Sequence, residues 1–117
     1  MNVPDRLKYT ASHEWVEFLS DTRARVGITD FAQSSLGDIV FVRLPQPGDE
    51  VVAKEPFADL ESVKAVSDVY SPLTGRVAQA NSALEDAPEA INSDAYGAWM
   101  AEIEDISDAA ELMDAQA

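Results

Sequence analysis

The stretch Phe57-Ala58-Asp59-Leu60-Glu61-Ser62-Val63-Lys64-Ala65-Val66-Ser67-Asp68-Val69-Tyr70-Ser71-Pro72-Leu73-Thr74-Gly75 decides the reading of this chain. Phe57 to Leu60 and Ala65 to Tyr70 carry strand signals, and Glu61-Ser62-Val63-Lys64 must reverse the chain between them, which puts Lys64 at a hairpin tip in solvent. On composition alone such a lysine is ordinary, because lysines are mostly exposed whatever their role. Further short strands are expected at Val51-Val52 and at Arg76 to Ala80. The turn regions Pro47-Gly48-Asp49-Glu50-Val51 and Ser71-Pro72-Leu73-Thr74-Gly75-Arg76-Val77 sit on either side of Glu61 to Lys64, which suggests a quasi-twofold pair of hairpins. Short strands at regular spacing point to a mainly β barrel or sandwich.

Working outward, His13-Glu14-Trp15-Val16-Glu17-Phe18 reads as a strand, Ser20-Asp21 as a turn and Arg25-Val26-Gly27-Ile28 as the return strand. Thr29 or Asp30 can cap a short helix through about Leu36, with Gly37 as its stop. Asp38 to Leu44, with Ile39-Val40-Phe41-Val42 consecutively apolar, fits a strand buried on both faces and ended by Pro45-Gln46-Pro47-Gly48-Asp49. Asn81 to Asn92 reads as short irregular helical turns, and Trp99 to Ile106 as a strand. Ser107 or Asp108 can cap a last helix through about Ala115 that packs Leu112 against the body. No linker separates domains, so residues 1–117 are expected to form one.

Composition narrows the function classes. With 22 Asp and Glu against 8 Lys and Arg the net charge is −14, which opposes phosphate-directed binding to nucleic acid or anionic membrane. All eight basic residues lie at or before Arg76, and residues 77–117 hold ten acids and no Lys or Arg. Such a face either steers toward basic partners or serves solubility in a salty cytoplasm. The absence of cysteine removes disulfides and thiolate chemistry, and with His13 as the single histidine no metal site is expected. No run is long and apolar enough for a membrane helix, and Met1 to Arg6 lacks a signal-peptide pattern, so a cytoplasmic protein is the expectation. Lys8, Lys54 and Lys64 are the only lysines open to amine chemistry. Ser12-His13-Glu14 makes no hydrolytic triad, because strand neighbours point to opposite faces.

Glu61-Ser62-Val63-Lys64-Ala65-Val66-Ser67-Asp68 with Tyr70-Ser71-Pro72-Leu73-Thr74-Gly75 closely resembles the lipoyl-attachment segment of glycine cleavage system H proteins. Tyr9-Thr10, His13-Glu14-Trp15-Val16, Val26-Gly27-Ile28-Thr29-Asp30-Phe31-Ala32-Gln33, Leu36-Gly37-Asp38-Ile39-Val40-Phe41-Val42 and Leu84-Glu85-Asp86-Ala87-Pro88 follow in the family's order and spacing. The likeness covers about residues 7 to 115. It implies a mainly β barrel-sandwich hybrid of the lipoyl/biotinyl type, with the short helix after the first hairpin and the C-terminal helix.

The resemblance also implies a role. Lys64 would carry lipoate in amide linkage, giving an arm of roughly 14 Å, and the protein would be a monomeric carrier with no catalytic residues of its own. Its implied partners are a PLP-dependent glycine decarboxylase, a tetrahydrofolate-dependent aminomethyltransferase, FAD-containing dihydrolipoamide dehydrogenase, and the lipoate ligase or octanoyltransferase that modifies it. Residues matching Ser12, Glu14 and Asp68 contact the aminomethyl-loaded arm in the family. Ser12 and Glu14, two apart on an expected strand, would share one face while His13 points away. Glu61 would help the modifying enzyme recognise the site. A lipoate relay protein serving 2-oxoacid dehydrogenases is the alternative. A biotin carrier fits less well, because Val63 and Ala65 stand where such carriers usually place methionines. The chain departs from the family at Asn92-Ser93-Asp94-Ala95-Tyr96-Gly97-Ala98-Trp99, where Ala95 replaces the usual proline and the loop is one residue shorter.

Overall fold

A computed structural model describes residues 7–113; Met1 to Arg6 lie outside them. The first hairpin forms as the sequence indicates. β2 (Glu14–Ser20) returns as β3 (Arg23–Ile28), with Trp15 paired to Gly27, and the short β1 (Lys8–Tyr9) adds to its outer edge. Trp15 fills the space that Gly27 leaves empty: a Cβ on Gly27 would stand 2.7 Å from the indole. The chain then enters α1 (Asp30–Leu36), whose first turn is capped by the Thr29 hydroxyl accepting from the Ala32 N–H. Gly37, at a φ of 81°, ends it, a backbone angle that costs a side-chain-bearing residue energy.

β4 (Ile39–Arg43) and the two-residue β5 (Glu50–Val51) follow, then the hairpin of β6 (Pro56–Ser62) and β7 (Val66–Tyr70), and the long β8 (Leu73–Ala80). Two single-turn helices, α2 (Ala83–Asp86) and α3 (Ala90–Ser93), lead to β9 (Ala101–Ala109). The strands make two antiparallel sheets, ordered β1-β2-β3-β9-β8-β5 and β4-β6-β7. The two turn regions flanking the lysine hairpin run antiparallel to each other, pairing Glu50 with Arg76 and Val51 with Gly75, as a twofold relation between them requires.

The two sheets form a barrel-sandwich hybrid. Val42, Leu60 and Val69 on the inner face of the three-stranded sheet pack with Leu84, Ile91 and Met100, while Val16, Val26, Leu73, Val77 and Ile103 form a second cluster. Phe57 touches both clusters. A third cluster gathers Leu7 and Tyr9 around Trp15, with Tyr96 and Trp99 against it.

Two sequence expectations are corrected. The C-terminal helix does not form between Ser107 and Met113. β9 runs on to Ala109, Ala110 donates its N–H to the Pro72 carbonyl, and Met113 exchanges two backbone hydrogen bonds with Tyr9. A helix of about eight residues is marginal by itself, whereas here Asp108 and Ala109 pair with β8 and Ala110 and Met113 find backbone partners in Pro72 and Tyr9. Asp114 and Ala115, the end of the expected helix, lie outside the described residues. β4, in turn, is buried on one face only. The register slips between Ile39 and Phe41 opposite β6, and this bulge turns both Val40 and Phe41 outward, 53% and 50% exposed.

Candidate functional site

Lys64 sits in the turn between β6 and β7, and a buried serine shapes that turn. The Ser62 hydroxyl accepts from the N–H groups of Lys64 (3.3 Å) and Ala65 (3.1 Å) and donates to the Ala65 carbonyl (3.2 Å). The Ser62 N–H donates to the same carbonyl at 2.8 Å. Val63 then donates its N–H to the Asp38 carbonyl at 3.1 Å, tying the tip to the start of β4. That start is itself clamped by Asn92: Oδ1 accepts from the Ile39 N–H (2.8 Å), and Nδ2 donates to the Gly37 carbonyl and to Gln33 Oε1, both at 2.9 Å. Above this fixed base the Lys64 side chain is exposed. Its Cε passes 3.7 Å from where a Cβ on Gly37 would stand, an ordinary contact distance, so the lysine stem lies over the end of α1.

A second feature is a cleft of about 250 Å3 walled by Thr10, Ser12, Glu14, Lys54, Tyr70, Ser71 and Ala110. Glu14 is its chemical centre, a carboxylate in a residue only 3% exposed. The Thr10 and Ser12 hydroxyls both donate to Glu14 Oε1 at 2.6 Å. Burial raises the Glu14 pKa above the ordinary carboxylate value, opposed by the hydrogen bonds from Ser12, Thr10 and the Tyr70 backbone. Such a group accepts a cationic donor readily, since the cation restores the electrostatic stabilisation that burial removed.

The expected pairing of Ser12 with Glu14 is therefore present, but the route to it is different. Ser12 is not on a strand. Thr10 to His13 form the turn of the β1–β2 hairpin, closed by Thr10 N–H to the Glu14 carbonyl and His13 N–H to the Thr10 carbonyl. His13 closes the turn with a φ of 70°, and this backbone reversal, not strand alternation, folds the Ser12 hydroxyl back onto Glu14. The His13 ring packs against Phe31, with centroids 4.5 Å apart and planes tilted by 46°, and takes no part in the cleft wall. Asp68 stands apart from the cleft walls. It is exposed on β7, opposite Asp59 and two residues before Tyr70, hence on the same strand face as the tyrosine that does line the cleft. Glu61 is exposed on β6, between Phe41 of β4 and Val66 of β7.

Sequence reasoning gave Thr10, Lys54 and Asn92 no place in the site, Lys54 having stood only among the three lysines open to amine chemistry. The signal for Thr10 was its spacing of four from Glu14 across a turn; Lys54 and Asn92 reach their positions only through tertiary contacts. The shortened loop before Trp99 also has a structural task. The Ala95 carbonyl accepts the Trp15 indole N–H at 3.1 Å, and Gly97 closes on Asp94. Among the described residues no group of three or more metal-ligating side chains converges, and no helix is long and apolar enough to cross a membrane.

The comparisons with known proteins agree with this geometry. A family profile described as Glycine cleavage H-protein matches residues 7–117. The chain is 57% identical over 113 residues to the glycine cleavage system H protein of Lachnoclostridium phytofermentans, covering 97% of this chain and 89% of that protein. It is 54% identical over 117 residues to the corresponding protein of Halalkalibacterium halodurans, covering 97% and 91%. The crystal structure of a glycine cleavage system H protein from Mycobacterium marinum superposes with a TM-score of 0.92 at 39% identity, covering 97% of this chain and 94% of that one. With a lysine hairpin, a buried carboxylate cleft and collinear relatives over nearly its whole length, the chain belongs to the glycine cleavage H-protein family.

Proposed function

We propose that the chain is the lipoyl-bearing shuttle of the glycine cleavage system, with lipoate in amide linkage to Lys64 and no catalytic residue of its own. The observation that carries this reading is the exposed Lys64 side chain on a turn whose N–H groups from Ser62 to Ala65 are all hydrogen-bonded. The residues present fit the group. An acylating enzyme needs an unobstructed ε-amine, and the Lys64 side chain is exposed. When attached, lipoate would supply a dithiolane able to accept an aminomethyl unit as the PLP-dependent decarboxylase releases CO2 from glycine, to give its methylene to tetrahydrofolate with release of ammonia at the aminomethyltransferase, and to be reoxidised from the dithiol with NAD+ by dihydrolipoamide dehydrogenase.

The chain itself does three things. Ser62 and the Val63–Asp38 bond hold the attachment point still. Asp68 lies four residues beyond Lys64, about 13 Å at the strand rise, within the reach of an arm of roughly 14 Å. It offers an exposed carboxylate on the way to the cleft. Glu14, positioned by Thr10 and Ser12, then receives a cationic amine in a site shielded from water. A charge-assisted hydrogen bond there is worth about 1.5–3 kcal/mol, or roughly ten- to a hundredfold in occupancy of the shielded state. Glu61 contributes to recognition by the lipoate ligase or octanoyltransferase.

The test is the mass of the peptide containing Lys64 after expression with an active lipoylation pathway. One lipoyl group on that peptide, lost in Lys64→Arg, is the expected result; an unmodified peptide refutes the reading. Glycine–CO2 exchange with the decarboxylase then separates a one-carbon carrier, which supports it, from a lipoate relay protein, which does not.

A further inference from the structure

The bulge in β4 leaves Val40 and Phe41 in water, where a strand of four consecutive apolar residues has no structural reason to put them. Their position gives one. The register places Phe41, Glu61 and Val66 side by side on the outer face of the three-stranded sheet, and Val63 is bonded through its backbone to Asp38, two residues before Val40. Val63 and Val66 are 69% and 70% exposed. The four most exposed large apolar side chains among the described residues thus lie on the hairpin that carries Lys64 and on the strand beside it, together with the exposed carboxylates of Asp38, Glu61 and Asp68. A clustered apolar patch with a polar rim marks a contact surface, unlike apolar residues scattered singly.

We propose that Val40, Phe41, Val63 and Val66 form a docking collar for the enzyme that acylates Lys64, a partner presenting an apolar face edged with basic side chains. The inference rests on the reading of Lys64 as the lipoyl site. Reach selects this partner over the others. A bare lysine extends its nitrogen only about 6 Å from Cα, so an enzyme forming the amide must close over the tip and bury what surrounds it. Enzymes that meet the end of an arm of roughly 14 Å can stand off from the collar. The acidic rim selects for opposite charge in the partner and gives the encounter a dependence on salt.

The experiment measures lipoylation kinetics of the full-length apo protein by a purified lipoate ligase, with mass spectrometry as readout, for wild type, Phe41→Ser and Val66→Ser. Both positions are exposed, and unchanged thermal melts confirm that the fold survives. Burying the exposed part of such a side chain against a partner is worth about tenfold. The expected result is a rise in KM of that order with kcat unchanged, and a wild-type KM that climbs with added salt. Phe18→Ser, at a phenylalanine 44% exposed in the six-stranded sheet, should leave KM alone. Phe41→Ser protein that has been driven to full lipoylation should be reduced by NADH through dihydrolipoamide dehydrogenase at the wild-type rate. Unchanged KM in both collar variants, an equal effect of Phe18→Ser, or an equal loss with the dehydrogenase each overturns the collar. A wild-type Lys64 that accepts no lipoyl group overturns the functional reading and the collar together, whereas a modified Lys64 with indifferent variants overturns the collar alone.

Discussion

Replacing Gly27 by alanine asks whether the Trp15 cluster is as rigid as its contacts imply. The new Cβ would stand 2.7 Å from Trp15 Cε2 and Cζ2 and 2.8 Å from Nε1. Carbon atoms in good contact sit about 3.5–4.0 Å apart, so the ring must retreat by about 1 Å. It has little room to do so. Trp15 is 1% exposed, its indole N–H is bonded to the Ala95 carbonyl, and Leu7 and Tyr9 share its cluster. Overpacking of this kind costs about 1–3 kcal/mol. At about 4 °C per kcal/mol for a chain of this size, Tm should fall by roughly 4–12 °C. Circular dichroism melts measure it. The sharper assay is a double-mutant cycle with Trp15→Phe. Alone, Trp15→Phe opens a cavity and leaves the Ala95 carbonyl unpaired, but combined with Gly27→Ala it also relieves the clash. The double mutant should therefore be more stable than the sum of the two changes by at least about 1 kcal/mol. Additive effects, or a Gly27→Ala melt within about 1 °C of wild type, would refute the packing argument.

Ser62→Ala should cost about 1 kcal/mol, since it removes one donated and two accepted hydrogen bonds whose backbone partners water can reach; hydrogen exchange at the Lys64 and Ala65 amides should quicken while that of the inner strands stays unchanged. Asn92→Ala should be more damaging, about 2–3 kcal/mol by urea unfolding, because two bonds that hold residues 37–39 and a third to Gln33 go together, and exchange at Val63 should rise with it. The pH dependence of Glu14 has a definite sign. A carboxyl whose pKa is raised by burial binds its proton more tightly when folded, so its contribution to stability is present below the ordinary carboxylate pKa and is lost as pH rises through the raised folded value. Glu14→Gln should therefore gain stability relative to wild type as pH rises across that window, and a difference that shrinks with pH would contradict the burial account.

The local signals in this sequence were accurate wherever a short segment decides its own shape. Thr29 caps α1, Gly37 ends it, and the Lys64 hairpin closes where its apolar runs reverse. Reading failed where a distant partner decides. Ser107 to Met113 carry helix-compatible residues, but Pro72, Tyr9 and the β8 edge offered backbone partners that no local pattern announces. Val40 and Phe41 read as core because four apolar residues in a row normally are, and a single bulged residue inverted that inference. In the cleft, residue identities were legible and geometry was not: Ser12 meets Glu14 through the positive φ of His13, a conformation that histidine adopts only in special turns. Asp68 carries no local signal at all that would tell it from any exposed strand residue.

The cross-strand ladders of the six-stranded sheet bear on how these molecules treat one another. Arg23, Arg25 and Arg76 are bound to Glu102, Glu104 and Asp105, and Arg43 is bound to Asp59. Guanidinium groups committed within the chain are poorly placed to bridge to a neighbour's acids, and the net charge of −14 is left to act at long range. Crowded copies should hold their distance like charged colloids, with a positive osmotic second virial coefficient that light scattering would see collapse as salt is added. A population kept apart in this way remains individually available to whichever enzyme comes next.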